Sequence, residues 1–145
     1  MLSFKVMGKA SQYGVLVVDD DDGYRDVLST ALARAGFQVY AASNGEDGIT
    51  QAKQVRPSLI LLDVEMPVLS GVDTALRMQG DPALQGIKKV FITSYGDPAR
   101  EAAWLDEKFA REIGAVDYIR KTDDLARIVA HVMKILRVAP ERSDT

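Results

Sequence analysis

The chain has 145 residues, 47% of them hydrophobic, which suits one domain around one core. Its 18 basic residues against 21 acidic ones leave a net charge of -3, with no general attraction to nucleic acid or to an anionic membrane. Cysteine is absent and His131 is the single histidine, which excludes disulfides, thiolate chemistry and a His-rich metal site. No apolar stretch reaches transmembrane length, and Met1-Leu2-Ser3-Phe4-Lys5 has no secretory apolar region, so a soluble cytoplasmic domain is expected.

Residues 1–13 read as a mobile arm. Val15-Leu16-Val17-Val18 is a short apolar run of the kind found in buried parallel strands. Tyr24, Val27, Leu28, Ala31, Leu32 and Ala35 then recur at helical spacing, and Gly36 suits the helix stop. Phe37 to Ala42 alternates like a strand, Asn44-Gly45 turns the chain, and a short helix over roughly 46–55 is broken at Arg56-Pro57. Leu59-Ile60-Leu61-Leu62 is the second fully apolar run. A helix led by Gly71 runs to about Gln79, and Val90-Phe91-Ile92-Thr93 is another strand. Ala102, Leu105, Phe109 and Ile113 form one face of a longer helix ended by Gly114, with Trp104 off that face. Val116 to Ile119 is the last strand, and Leu125, Ile128, Val129, Val132, Met133 and Leu136 are the buried stripe of the last helix. His131 lies near that stripe and reads as a helix-surface or satisfied core residue. Residues 139–145 read as a tail or linker.

This alternation over 14–138 is that of an α/β fold, a doubly wound five-stranded parallel sheet with helices on both faces. In such sheets the ligand crevice lies beyond the carboxyl ends of the strands. The first apolar run ends in Asp19-Asp20-Asp21-Asp22 and the second in Asp63. Carboxylates gathered at one rim need a cation to offset their repulsion, and a hard ion with oxygen ligands, magnesium best of all, suits them. Asp21 and Asp22 have a simpler reading, as acids at a helix N-terminus favoured by its dipole. Thr93 and Lys121 stand at the ends of the next two strands. A metal, an ammonium, a hydroxyl and a nucleophilic carboxylate together suit a phosphoryl group.

With these pieces the chain resembles the receiver domain of two-component response regulators, a flavodoxin-like fold. The matching segments are Val15-Leu-Val-Val-Asp-Asp-Asp21, Asp63-Val-Glu-Met-Pro-Val-Leu-Ser-Gly71, Phe91-Ile-Thr-Ser94 and Gly114-Ala-Val-Asp-Tyr-Ile-Arg-Lys121. The resemblance implies a cytoplasmic signalling switch rather than an enzyme acting on a metabolite. Asp63 would accept a phosphoryl group from a histidine kinase or histidine phosphotransfer protein. Asp20, Asp63 and the backbone carbonyl of Glu65 would ligate magnesium, with Asp19 acting through a water. Thr93 would move toward the phosphoryl oxygens, Tyr118 would follow it inward, and Lys121 would pair with the phosphoryl group. The fourth helix, fifth strand and fifth helix would form the signalling face, toward a downstream protein or output domain. Glu65 and Tyr95 would set the lifetime of the phosphoryl group, and Trp104 is a candidate anchor for a partner or for a second subunit on phosphorylation.

Two departures stand out. The family usually has Lys-Pro with a cis bond at the last site, whereas Thr122 follows Lys121, and a cis bond before a non-proline costs about 2.5–4 kcal/mol. The interval from Thr93 to Lys121 is longer than usual by about six residues, more than one helical turn, with the excess around Gly96 to Arg111. The few residues after the last helix are too short for a helix-turn-helix unit, so a stand-alone receiver and a receiver cut from a longer protein are both open. A magnesium-dependent phosphohydrolase with an aspartyl nucleophile is the enzymatic alternative. It would place an Asp-x-Asp nucleophile at the first strand and carry a cap, whereas here the candidate nucleophile ends the third strand. A docking domain that no longer takes a phosphoryl group is the other alternative, opposed by the intact acid, Thr and Lys set.

Overall fold

A computed structural model describes residues 8–94 and 112–139. Five parallel strands form one sheet: β1 (Gly14–Val18), β2 (Gln38–Ala42), β3 (Leu59–Asp63), β4 (Lys88–Thr93) and β5 (Ala115–Arg120), in the order β2-β1-β3-β4-β5. Among the described residues the helices are α1 (Asp22–Arg34), α2 (Gly45–Val55), α3 (Gly71–Gln79) and α4 (Leu125–Leu136). The order reverses between β1 and β3, because β2 lies on one side of β1 and β3 on the other. That reversal opens the crevice in which doubly wound sheets bind ligands.

Each helix begins on a side chain that accepts an otherwise orphaned backbone N–H. Asp21 accepts from Tyr24 N at 3.1 Å, Asn44 from Asp47 N at 2.8 Å, Ser70 from Asp73 N at 3.1 Å and Asp124 from Ala126 N at 2.8 Å. Gly36 ends the α1 segment at φ +102, in the region that costs a residue with a Cβ.

Strand parity separates the core into two layers. Val15, Val17, Leu59, Leu61, Val90, Ile92 and Ile119 pack under α1 and α4, against Leu28, Leu32, Ile128, Val132 and Leu136. Leu16, Val18, Ile60, Leu62 and Phe91 pack under α2 and α3, against Ala52, Ala75 and Met78. The central strands β1 and β3 are buried along nearly their whole length, as their unbroken apolar runs require. Val27, which recurs at helical spacing with Leu28 and Leu32, is half exposed. It sits on the flank of α1 and lines a shallow groove with Ala31 and Leu125, whereas Leu28 and Leu32 point at the sheet.

The described part of the segment ahead of β1 lies along the domain. Ala10–Gln12 form a 3-10 turn, Gln38 Nε2 donates to Ser11 O at 2.9 Å, and Gly8 bridges in parallel to Val138. Ile113 belongs to the α2/α3 layer, whereas Ala102, Trp104, Leu105 and Phe109, expected on the long helix, lie outside the described residues together with Tyr95.

Candidate functional site

The register of the sheet brings the expected residues to one rim. Val18 pairs with Leu62, so Asp19 and Asp63 follow side by side at the ends of β1 and β3. Asp63 pairs with Ile92, and Thr93 pairs with Arg120, so Thr93 and Lys121 continue the same edge. The ladder extends past the strands, with Val64 N donating to Ile92 O at 2.9 Å and Lys121 N to Thr93 O at 2.9 Å. By parity Asp63 continues the Leu59–Leu61 row toward α1 and α4, whereas buried Thr93 continues the Phe91 row toward α2 and α3.

The four consecutive acids divide into separate tasks. Asp19 is buried, with Oδ1 accepting from Asp21 N at 2.9 Å, while Asp20 is exposed. Asp21 caps α1 and Asp22 pairs with Arg25 at 2.5 Å in the first turn. The helix-terminus reading of the last two therefore holds. Arg25 also donates to Asp19 O at 2.8 Å, which ties the acidic loop to α1.

Carboxylate oxygens of Asp19, Asp20 and Asp63 all lie within 4.8 Å of one another. Lys121 Nζ sits 2.7 Å from Asp19 Oδ2 and 3.3 Å from Asp63 Oδ2. The Asp63 contact is a hydrogen bond, whereas the Asp19 contact is an ion pair, and among the described residues buried Asp19 Oδ2 has no directed donor. Asp63 Oδ1 accepts from Glu65 N at 3.3 Å. Burial first, and then the charge of Asp19, push the Asp63 carboxyl up to about 7, against the opposing pull of Lys121 and the Glu65 N–H. Burial works against the Lys121 ammonium, but Asp19 and Asp63 outweigh it and raise its pKa. An oxygen-only set of three carboxylates, one with an undirected buried oxygen, fits a hard cation such as magnesium.

The loop leaving Asp63 is shaped by contact with the rim. A Cβ on Gly71 would stand 2.2 Å from Asp63 O, so only glycine lets α3 start against that backbone. Met66 and Leu69 are buried and anchor the loop, while Glu65 is exposed. Val68 between them has φ 69 and is fully exposed, a costly backbone for a β-branched residue. The peptide bond between Lys121 and Thr122 is trans, since the described residues include no cis bond.

Tyr118 is half-buried, with its ring 5.3 Å from that of Phe91 at a tilt of 37°. His131 is also half-buried, and its Nε2 pairs with Asp117 Oδ2 away from the rim, a satisfied residue as its place near the stripe suggested. The sequence reading missed three residues. Tyr24 was noted only for its helical spacing, whereas its ring lies under Lys121 Nζ, 4.9 Å from the ring centroid. Arg25, three residues after Asp22, carried the signal of an i,i+3 pair. Lys89 is fully buried two residues before Phe91 on the same row, and its alternation with Phe91 and Thr93 was the signal for an inward lysine.

The family model of the response regulator receiver domain matches residues 15–133. The chain belongs to the response regulator receiver domain family. Among curated relatives of this receiver domain, the transcriptional regulatory protein PrrA of Mycobacterium leprae is 40% identical over 85% of this chain and 49% of its own length. The transcriptional regulatory protein CseB of Streptomyces coelicolor is 34% identical over 88% of this chain and 51% of its own. The receiver domain thus spans about half the length of these relatives. The solved structure of chemotaxis protein CheY4 of Vibrio cholerae superposes with a TM-score of 0.73 over 90% of this chain and 99% of that one. At 22% identity that likeness establishes the shared fold. A receiver domain is a signalling module of two-component systems. No helix among the described residues is long and apolar enough to cross a membrane.

Proposed function

We propose that this receiver domain is a switch set by a phosphoryl group on Asp63, transferred from a phosphohistidine of a histidine kinase or a histidine phosphotransfer protein. The observation that carries this reading is the position of Asp63 at the topological switch point, with Asp19 beside it and Lys121 Nζ 3.3 Å away. In the transfer, an Asp63 carboxylate oxygen forms a bond to phosphorus as the phosphohistidine N–P bond breaks. The electron pair of that bond stays with the imidazole nitrogen. Deprotonated Asp63 is the attacking form, and Lys121 offsets the charge that gathers on the phosphoryl oxygens. Thr93, at the end of the adjoining strand, donates its hydroxyl to one of those oxygens.

Asp19, Asp20, Asp63 and the Glu65 carbonyl would hold magnesium, which supplies further charge compensation at the phosphoryl group when bound. Movement of Thr93 and Tyr118 toward the modified Asp63 would then alter the surface built on β5 and the helices beside it, where a downstream partner or output domain reads the state. The relatives carry the same kind of domain in chains about twice as long, which supports an output in a further domain or a separate protein.

Intact mass after incubation with acetyl phosphate and magnesium tests the reading. One phosphoryl group is expected on the wild-type chain and none on Asp63→Asn. Full labelling of Asp63→Asn would move the acceptor elsewhere and overturn the assignment.

A further inference from the structure

Lys121 is held on three sides. Two are the carboxylates of Asp19 and Asp63, and the third is the face of Tyr24, 4.9 Å from Nζ to the ring centroid. Tyr24 comes from the first turn of α1, whose start is set by the Asp21 cap on Tyr24 N. Asp19, the nearer of the two acids that draw Lys121 to the rim, and the ring that backs it thus belong to the same short segment at the start of α1, whereas Asp63 comes from β3. An ammonium prefers the negative face of an aromatic ring, and more so when it is shielded from water; the Lys121 side chain is only 13% exposed. The Tyr24 hydroxyl, by contrast, is buried and has no hydrogen-bond partner among the described residues. Such a group costs stability, so the useful part of this side chain is its ring.

Resting on the reading of Lys121 as the group that meets the phosphoryl oxygens, we propose that Tyr24 is a positioning residue whose ring face holds the Lys121 ammonium at the carboxylate rim. Without the ring, Lys121 has only carboxylates to follow and collapses onto Asp19, the nearer of the two. Its charge is then misplaced for a phosphoryl group arriving at Asp63. A displacement of this kind acts on the transfer rate, since charge must be in place before reaction.

Tyr24→Phe and Tyr24→Leu in the full chain separate ring from bulk. Labelling by acetyl phosphate at saturating magnesium should slow about tenfold in Tyr24→Leu and be restored in Tyr24→Phe. In a Lys121→Ala background the Leu substitution should cost nothing further, because coupled residues are not additive. The Lys121 Hε protons, assigned by their loss in Lys121→Ala, should resonate upfield from the ring current in wild type and Tyr24→Phe, and return to the ordinary lysine position in Tyr24→Leu. An equal slowing with and without Lys121, or Hε protons at the ordinary position in wild type, overturns the proposal. If Asp63 is not the acceptor, Asp63→Asn labels fully while the Hε resonances still decide where Lys121 sits, so the two failures are distinct.

Discussion

Two lysines, one fully buried and one half-buried, stand at opposite ends of this sheet and behave in opposite ways. Lys121, beyond the carboxyl end of β5, lies between Asp19 and Asp63, and its charge is reinforced. Lys89, near the start of β4, is fully buried and donates only to neutral oxygens, Gln79 Oε1 at 3.1 Å and Ile87 O at 3.0 Å. Burial pushes its ammonium down to about 8. Burial works against the charge of both, so desolvation alone does not set the state of such a lysine. The charge of the acceptors decides whether the proton is kept. One end of the sheet therefore keeps a charge among carboxylates, and the other satisfies a polar atom within a packed core.

The largest difference should appear in phosphoryl transfer. Lys121→Ala should slow labelling by acetyl phosphate about 100-fold or more, the scale of a lost charge-stabilising donor. Lys89→Met should label within about twofold of wild type, scaled to folded protein. Equal losses at both positions by intact mass would erase the distinction between the two ends.

Folding stability should rank the lysines the other way. Lys89→Ala leaves a cavity and takes the donor from two half-buried acceptors, and should cost about 2–4 kcal/mol in urea unfolding. Lys89→Met keeps the volume, so its smaller loss would measure the hydrogen bonds alone. Lys121→Ala should cost less under magnesium, because a cation can replace the lost ammonium between the carboxylates.

The pH dependence sharpens the contrast further. In magnesium-free buffer, native Asp63 keeps its proton up to about 7 while the unfolded chain loses it near 3.8. The native state then binds more protons across that window, so this group lowers stability as pH rises through it. Lys89 has the opposite sign. The native chain loses its proton near 8 and the unfolded chain holds it to about 10.5, so stability gains with pH between those values. Asp63→Asn should remove the fall in stability between about 3.8 and 7, and Lys89→Met the rise between about 8 and 10.5. A curve unchanged by either variant would refute the assigned groups.

The smallest expected effects separate neighbouring acids. Asp20→Ala should weaken magnesium binding in a calorimetric titration more than Asp21→Ala does. Asp21→Ala should instead cost about 1 kcal/mol of stability through its lost helix cap. Reversed effects would exchange the roles of the two residues.

Much of the rim was legible in the chain. The unbroken runs at 15–18 and 59–62 name the central strands, because a strand covered on both faces has no polar side. With those strands placed, Asp19 and Asp63 had to meet at their carboxyl ends. Thr93 and Lys121 followed from the next two strands. The helix caps were partly legible as well, since Asn44 and Ser70 precede their helices as capping residues do. Tyr24 was not, and Lys89 was only in part, through its alternation with Phe91 and Thr93. Helical spacing places Tyr24 on the inner face of α1 without saying that a lysine from β5 ends above its ring. A lysine at the head of an apolar run reads as solvated until its acceptors, from α3 and the turn before β4, are known.

The sequence by itself determined the order of the elements, the doubly wound class and which acids share an edge, since these depend on periodicity and on local rules of parallel sheets. Only the tertiary structure decided what each charge faces. Lys121 is separated from Asp63 by 58 positions and from Tyr24 by more than half the chain. The field at a buried group comes from whatever stands within a few ångströms, and that neighbourhood exists only once α1, β1, β3 and β5 are packed together.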